Sequence, residues 1–216
     1  MHPKTTDLKK RILKNHYFAM RHGQSEANIA GLIVSDPNVG CGKYGLTKLG
    51  QQQVIDSASN IKELNQDTFI ISSDFLRAQN TAEITQKILN TTHPIQYSTV
   101  LRERFFGTLN GQNDSQYKKV WDLDNQNPDH KEFGVESANQ VVSRVSALIL
   151  QLEQQTTDKE KKVGQNNPCK NILLVAHGDV LQLLQTWFQN VPASQHRSLP
   201  HLETAEIRCL NPDSNS

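Results

Sequence analysis

The sequence contains few cysteines, no long apolar run and almost no net charge, and each absence excludes a class of protein. Its three cysteines, Cys41, Cys169 and Cys209, lie far apart and form no CxxC motif, which favours a reducing compartment over a disulfide framework. No run approaches the roughly 18 apolar residues of a membrane span, and the basic first segment is not followed by the apolar stretch of a secretory signal. We therefore expect a cytoplasmic protein that has no membrane as its partner.

Positive and negative side chains are nearly balanced. Lysine and arginine total 23 and aspartate and glutamate total 22, so the net charge of +1 gives no reason to expect nucleic acid as a partner. Any anion-binding site must be local and built from a few placed cations. The 216 residues suffice for a sizeable core, although only 36% are hydrophobic and the mean hydropathy is −0.60. We expect a single domain spanning residues 1–216.

Motifs of several common catalytic sites are also missing. The sequence has no HExxH, no HxH and no cluster of Asp, Glu and His at ligand spacing, so we expect no metal site and no cofactor. It also lacks a GxSxG nucleophile elbow and a phosphate-binding P-loop, which argues against a serine hydrolase and a P-loop enzyme.

Short apolar runs alternate with segments of helical periodicity, which predicts an α/β sandwich with a mainly parallel sheet. Strands are predicted at 17–20, 68–72, 95–100 and 172–176, with an outer strand at 204–210. Helices are predicted after Thr47, at 75–89 with Ser73 and Asp74 as cap residues, from a capping box at 137–140, and at 180–188. The irregular segment 106–135 is too long for a plain connection and is interpreted as a lid or substrate-facing insertion, and 154–168 as a surface loop.

Polar residues follow the predicted strands at four places. These are the pair Arg21-His22, the segment from Asp74 to Arg77, Glu103, and His177. In a parallel sheet, ligands bind at the carboxyl ends of the strands. The shared placement therefore predicts that these residues meet in one crevice.

The residue types in this crevice suit the transfer of a phosphoryl group. A neutral imidazole at His22 can act as the nucleophile and form a phosphohistidine that water later hydrolyses. Arg21 and Arg77 can each present a planar fork to phosphate oxygens and so replace the charge of a metal ion. His177 can donate to an equatorial oxygen, and Glu103 is the carboxyl group best placed to protonate the leaving group.

Several of these assignments have alternatives. Glu26 and Glu136 are rivals of Glu103 as the acid, and Glu136 could equally stabilise the start of its helix. Arg77 could be one half of a surface ion pair. Cys41 could be a reactive thiol, although nothing near it in the sequence indicates a lowered pKa. Trp121 and Trp187 are interpreted as packing residues.

Four segments resemble the motifs of the histidine phosphatase superfamily, in its phosphoglycerate-mutase-like branch. Residues 21–28 read RHGQSEAN and resemble its RHGxSxxN signature. Residues 72–82, 101–107 and 175–179 resemble its arginine-bearing, acid-bearing and second-histidine segments, in the family's order. The resemblance runs from about residue 16 to residue 210, which is nearly the whole chain.

The resemblance implies a fold and a set of roles. It implies a three-layer sandwich with a mostly parallel central sheet of about six strands and helices on both faces, and the segment 107–135 is then the insertion. It also implies that the phosphate is gripped by a defined set of residues. Their implied roles are His22 as the phosphorylated nucleophile, Arg21, Arg77 and His177 around the phosphate, Glu103 as proton donor, Asn28 as an amide contact and Gly178 as a backbone N–H donor.

The function we expect is that of a metal-independent phosphatase acting on a small phosphorylated metabolite. A phosphoglycerate mutase and a non-catalytic module that binds a phosphorylated ligand remain as alternatives. The mutases of this family carry two adjacent arginines in a longer insertion and an Arg-Phe-x-Gly-Trp-x-Asp stretch after the first motif. This chain has Lys118-Lys119 in its insertion and no tryptophan at 30–36, although 103–104 and 107–111 look mutase-like.

Overall fold

The computed structural model describes residues 13–163 and 169–211, and its strands form one sheet in the order β3-β2-β4-β1-β5. The strands are β1 (His16–Arg21), β2 (Phe69–Ser72), β3 (Gln96–Tyr97), β4 (Asn171–Ala176) and β5 (Ile207–Cys209). The first four are parallel to their neighbours, and β5 pairs antiparallel with β1 at the edge. The mostly parallel α/β sheet is thus confirmed, with five strands in the described ranges where about six were expected.

Helices cover both faces of this sheet. They are α1 (Glu26–Ala30), α2 (Pro37–Gly40), α3 (Lys48–Asn60), α4 (Leu76–Leu89), α5 (Tyr117–Gln126), α6 (Ala138–Val163) and α7 (Gly178–Gln189). Side chains of α3 and α4 pack with Phe18 and Met20 on one face, whereas α6 and α7 pack with Tyr17 and Ala19 on the other. Because successive residues of β1 point to opposite faces and both faces are buried, the strand reads as a continuous apolar run.

Two local predictions around β2 and β3 are wrong in detail. The strand predicted at 95–100 keeps only two residues, because the Ser98 side chain accepts from the Val100 N–H and starts a 3-10 turn at Thr99–Leu101. Neither Ser73 nor Asp74 is the N-cap of α4; that position is Phe75, without a capping side chain. Asp74 instead accepts two hydrogen bonds from Arg102, at 2.8 and 2.6 Å, and this ion pair competes with capping.

Helix α6 starts as predicted but continues beyond the predicted end. Ser137 and Gln140 form the capping box reciprocally, with hydrogen bonds of 3.0 and 3.2 Å. The surface loop predicted from 154 is wrong as far as Val163, because the helix continues there: Gln154 donates to Asp158 one turn later at 2.8 Å, and 159–162 are lysines and a glutamate, which are good helix formers. The rest of that predicted loop, 164–168, and residues 1–12 of the basic first segment lie outside the described residues.

The insertion at 107–135 has a structure of its own over the carboxyl ends of the strands. It contains 3-10 turns at Gly107–Leu109, Asp114–Gln116 and Glu132–Gly134 and the helix α5. A small apolar cluster holds it together, composed of Ile33, Phe106, Leu109, Val120 and Val135. At its base, a Cβ on Gly107 would lie 2.0 Å from the Phe133 carbonyl oxygen, so only glycine allows this approach.

A buried ion pair fixes the insertion to the rest of the molecule. Arg104, which is fully buried, donates to both oxygens of Asp124 in α5, at 2.6 and 2.8 Å. Its Nη1 also lies 3.4 Å from Asp179 in the first turn of α7. Burial alone raises the pKa of Asp179, but the His196 ring, whose Nε2 lies 3.6 Å from the carboxylate, and the charge of Arg104 hold that pKa below its usual range. One guanidinium therefore joins the loop after β3, the insertion and α7.

Loss of this guanidinium is expected to destabilise the fold strongly. Arg104→Met leaves two buried carboxylates without their cation, so the free energy of unfolding should fall by about 3–5 kcal/mol. Lys118→Met is the matched control, because it breaks the exposed 2.7 Å pair with Asp122 on the same helix and should change stability by less than about 1 kcal/mol. Urea unfolding followed by tryptophan fluorescence measures both, and similar losses in the two variants would contradict this account.

Within the described ranges, no helix combines the length and the apolar character needed to cross a membrane.

Candidate active site

The register of the sheet places two histidines side by side. Arg21 is paired with Ala176 across β1 and β4, so each strand ends at the same level. The His22 N–H donates to the Ala176 carbonyl at 3.0 Å, and His177 directly follows Ala176. The two imidazole rings consequently lie 5.3 Å apart, centroid to centroid. The ends of β1 and β4 thus bring these two histidines together.

The loop that carries His22 packs against the first turn of α3. The Gln24 carbonyl accepts from the Thr47 N–H at 3.0 Å, and Thr47 caps the helix by accepting from the Gly50 N–H at 2.9 Å. A Cβ on Gly50 would lie 2.0 Å from the Gln24 oxygen, and a Cβ on Gly23 would lie 2.5 Å from the Gly50 oxygen. Two glycines therefore permit a close backbone contact that holds the loop in place.

The hydrogen bonds of His22 define its tautomer. The Arg77 Nε–H donates to His22 Nε2 at 3.1 Å, and a guanidinium can only donate, so Nε2 must carry the lone pair. The proton is then on Nδ1, which donates to the Gly23 carbonyl at 2.8 Å. Burial, followed by the charges of Arg77 and Arg21, lowers the pKa of His22 well below its usual value. His22 is therefore a neutral imidazole with Nε2 available as a nucleophile.

Two arginines stand beside this histidine. Arg77, in the first turn of α4, is only 4% exposed, which overturns its interpretation as half of a surface ion pair. Its Nη2 donates to the Val34 carbonyl at 3.0 Å, while its Nη1 is buried without a partner. Arg21 Nη1 donates to His201 Nε2 at 2.8 Å and to the Leu202 carbonyl at 3.0 Å, while its Nε is buried without a partner.

His177 and Gly178 complete this side of the site. His177 Nε2 lies 2.9 Å from the Ser73 hydroxyl, and its Nδ1 is a third buried polar atom without a partner. Gly178 is the first residue of α7, where backbone N–H groups have no acceptor within the helix. A Cβ there would lie 3.0 Å from His201 and 3.3 Å from Arg21, so the close packing favours glycine.

Glu103 is the carboxyl group that faces the two arginines. It is buried, lines the same cavity as Arg21, His22 and Arg77, and accepts from the Arg104 N–H at 3.0 Å. Burial raises the pKa of Glu103 to about 7, despite the opposing charge of Arg77. A carboxyl group with this pKa can both donate and accept a proton near neutral pH.

The two rival acids are placed elsewhere. Glu136 forms an ion pair with Arg144 at 2.7 Å and lines a neighbouring cavity. Glu26 is exposed in the first turn of α1 and does not line the catalytic cavity. The geometry therefore brings Glu103, and neither rival, to His22.

The side chain of Asn28 is held through its carbonyl oxygen, which leaves its NH₂ group free. Its Oδ1 accepts from the N–H and the hydroxyl of Ser25, both at 2.9 Å, in the capping box of α1. This geometry directs the carbonyl oxygen toward Ser25 and leaves the NH₂ group available at the wall of the cavity.

The cavity has a volume of about 190 Å³ and also contains residues that the sequence reasoning missed. They include Leu32, Asp114, Tyr117, Trp121, Asp179 and His201. Tyr117 and Trp121 are one helical turn apart on α5, which is a weak signal for a shared face. His201 gives no signal, since its contact with Arg21 spans 180 positions of the sequence. Trp121 was interpreted as packing, and it also donates to Asp179 at 2.8 Å.

Two further observations concern thiols and metal ligands. Cys41 lies 3.9 Å from Arg102, but burial and the charge of Asp74 raise the pKa of its thiol, which does not suit a reactive cysteine. Over residues 13–163 and 169–211, no three His, Cys, Asp or Glu side chains are grouped in a way that could hold a metal ion.

The chain matches a family model over almost its whole length. The model describes branch 1 of the histidine phosphatase superfamily and covers residues 17–216. Among curated proteins, a broad-specificity phosphatase of Saccharomyces cerevisiae is 24% identical over 83% of this chain and 73% of its own length. A 2,3-bisphosphoglycerate-dependent phosphoglycerate mutase of Nitrobacter winogradskyi is 32% identical, but over only 47% of this chain and 48% of the mutase.

Solved structures agree with this match at the level of the fold. The mycobacterial glucosyl-3-phosphoglycerate phosphatase in complex with VO3 superposes with a TM-score of 0.71, covering 89% of each chain at 22% identity. At that identity, the likeness supports the three-layer architecture and not a particular substrate.

Proposed function

Since the chain belongs to branch 1 of the histidine phosphatase superfamily, we propose that it hydrolyses phosphate monoesters through a phosphoryl group carried on His22. The observation that carries this proposal is a set of three buried polar atoms without partners beside His22: Arg21 Nε, Arg77 Nη1 and His177 Nδ1. Buried polar groups are almost always hydrogen-bonded, so a neighbouring set of unpaired donors suits a ligand with several acceptor oxygens. A phosphate group is such a ligand.

In the first step, His22 Nε2 attacks phosphorus and the bond from phosphorus to the ester oxygen breaks. The attack requires Arg77 to move its Nε–H from Nε2 to a phosphate oxygen. Glu103 gives its proton to the departing alkoxide, and the Nδ1–H bond to Gly23 stabilises the positive charge that develops on the ring. Arg21, Arg77 and His177 hold the equatorial oxygens, with the Asn28 amide and the Gly178 N–H as further donors.

In the second step, water attacks the phosphohistidine. Glu103, now ionised, accepts a proton from that water, the bond from Nε2 to phosphorus breaks, and inorganic phosphate leaves. Glu103 is thereby returned to its protonated form. A pKa of about 7 suits a group that must play both parts.

Phosphoglycerate mutation is the second candidate, because a bacterial mutase shares 32% identity with this chain over 109 residues. Both reactions begin with the same phosphohistidine and differ in its fate. A mutase must hold the phosphoglycerate and exclude water until the phosphoryl group is returned. Lys118 and Lys119, which stand in the insertion of this chain, are both exposed and do not line the cavity.

Net phosphate release should therefore exceed interconversion of 3- and 2-phosphoglycerate. The assay supplies the pure chain with a panel of phosphorylated metabolites, and separately with 3-phosphoglycerate and bisphosphoglycerate primer, in EDTA without added metal. We expect released phosphate and little isomerisation. Activity should persist in EDTA, because the two arginines supply the positive charge that a metal ion would otherwise provide. Efficient isomerisation without release would make the mutase correct, and tight binding of phosphate esters without either reaction would indicate a binding module.

A further inference from the structure

The charged residues that line the catalytic cavity are not evenly paired. Among the described residues that line it, the lysines and arginines are Arg21 and Arg77, both beside His22. Its carboxyl groups are Glu103, Asp179 and Asp114, and the insertion supplies Asp114 together with Tyr117. The charge of Arg77 acts on Glu103 and Arg104 pairs with Asp179, whereas Asp114 has no cation against it among the described residues.

Other nearby cations do not offset the charge of Asp114. Lys118 is exposed and pairs with Asp122 at 2.7 Å. The guanidinium of Arg197 stacks on Trp121, 3.8 Å from the ring centroid, and donates to Gln182 outside the cavity lining. A second anionic group on a substrate would thus meet the Asp114 carboxylate without a compensating cation.

Asp114 is positioned by its backbone and not by its side chain. Its N–H donates to the Gly31 carbonyl at 2.8 Å, while its carboxylate has no hydrogen-bond or ion-pair partner in the part of the chain that the structure describes. In the same lining, burial and the charge of Glu103 raise the pKa of Tyr117, so its hydroxyl remains a neutral donor. A free acceptor and a neutral donor in one cavity match the hydrogen-bonding pattern of an alcohol group.

From this arrangement we infer that the phosphatase proposed above prefers monoesters of small, uncharged, hydroxylated alcohols, and that Asp114 imposes the preference by repelling a second anionic group. The inference rests on the proposed function. The size of the cavity agrees with it, because about 190 Å³ is less than the roughly 300–1,000 Å³ of pockets for larger ligands.

Glycerol 3-phosphate and 3-phosphoglycerate form a matched pair of probes, because they differ only in a CH₂OH group in place of a carboxylate. The wild-type chain should show the higher kcat/KM on glycerol 3-phosphate. In Asp114→Asn, the ratio of kcat/KM for phosphoglycerate to that for glycerol phosphate should rise about three- to tenfold. This range corresponds to removing one like charge about 6 Å away at an effective dielectric constant between about 80 and about 40. Added salt should reduce the same discrimination in the wild type.

Asp122→Asn is the control, because it removes the same charge from the exposed face of the same insertion. Its ratio should stay within about twofold of the wild type. A wild-type preference for phosphoglycerate, or equal ratios in the two variants, would overturn the inference. Hydrolysis of p-nitrophenyl phosphate distinguishes failure of the inference from failure of the proposed function. If this ester is hydrolysed but the ratio does not change in Asp114→Asn, the chain is a phosphatase and the role of Asp114 is wrong. If none of the three esters is hydrolysed, both the proposed function and the inference are wrong.

Discussion

Alanine in place of His22 should lower phosphate release by about 10⁴-fold or more, because no other nucleophile is prepared in the same way. The lone pair on His22 Nε2 is fixed by the Nδ1–H bond to Gly23, and burial keeps the ring neutral. His177 cannot replace it, because its Nε2 contacts the Ser73 hydroxyl and its ring lies 5.3 Å away. Steady-state release of phosphate from p-nitrophenyl phosphate measures the loss.

His93→Ala is the matched control for this variant. His93 stacks on Phe69, with ring centroids 3.9 Å apart, at the end of β2 opposite the cavity. Its replacement should leave kcat within about twofold, as expected for a residue outside the site. A His22→Ala protein that melts like the wild type yet keeps more than a few per cent of its activity would contradict the nucleophilic role.

Glutamine in place of Glu103 should separate substrates by the quality of their leaving group. On an alkyl phosphate, where the departing alkoxide needs a proton, turnover should fall by about 10²–10⁴-fold. On p-nitrophenyl phosphate the first step should change little, because nitrophenolate leaves without protonation. Glu136→Gln is the control, since Glu136 pairs with Arg144 in the neighbouring cavity, and it should affect both substrates alike. Equal losses in the rate of the first step on both substrates in Glu103→Gln would point to another proton donor.

The same group sets an expected pH dependence. Glu103 must be protonated to act as the acid, and burial raises its pKa to about 7. Turnover of an alkyl phosphate should therefore fall as the pH rises through about 7. A bound phosphate dianion would raise the pKa of Glu103 further by like-charge repulsion and so shift this fall to higher pH. In Glu103→Gln the fall should disappear, and a fall that persists in this variant would be due to a different titrating group.

The centre of the site could be predicted because it depends on local sequence. The runs at β1 and β4 are apolar throughout, so both strands were identified, and the residues that end them had to lie at one edge of the sheet. His22 and His177 follow directly from that geometry. Arg77 follows from its place in the first turn of the helix after β2.

The rest of the site depends on tertiary packing that the sequence does not display. Helix α5 is rich in charged and amide residues and has few apolar positions, so its contribution of Tyr117 and Trp121 to the cavity became visible only in the structure. The pairing of Arg104 with Asp124 spans 20 positions and exists only in the folded insertion. The length of α6 was underestimated, because polarity was given more weight than the helix propensity of its last turns.

Trapping the phosphoenzyme tests the central claim most directly. The chain is mixed rapidly with a phosphate ester, quenched without acid, and digested under alkaline conditions for mass spectrometry. We expect a base-stable, acid-labile phosphoryl group on His22 that forms as fast as turnover requires and is absent from His22→Ala. Phosphate release with no such adduct, or with the phosphoryl group on Ser25 or His177, would contradict the proposed mechanism.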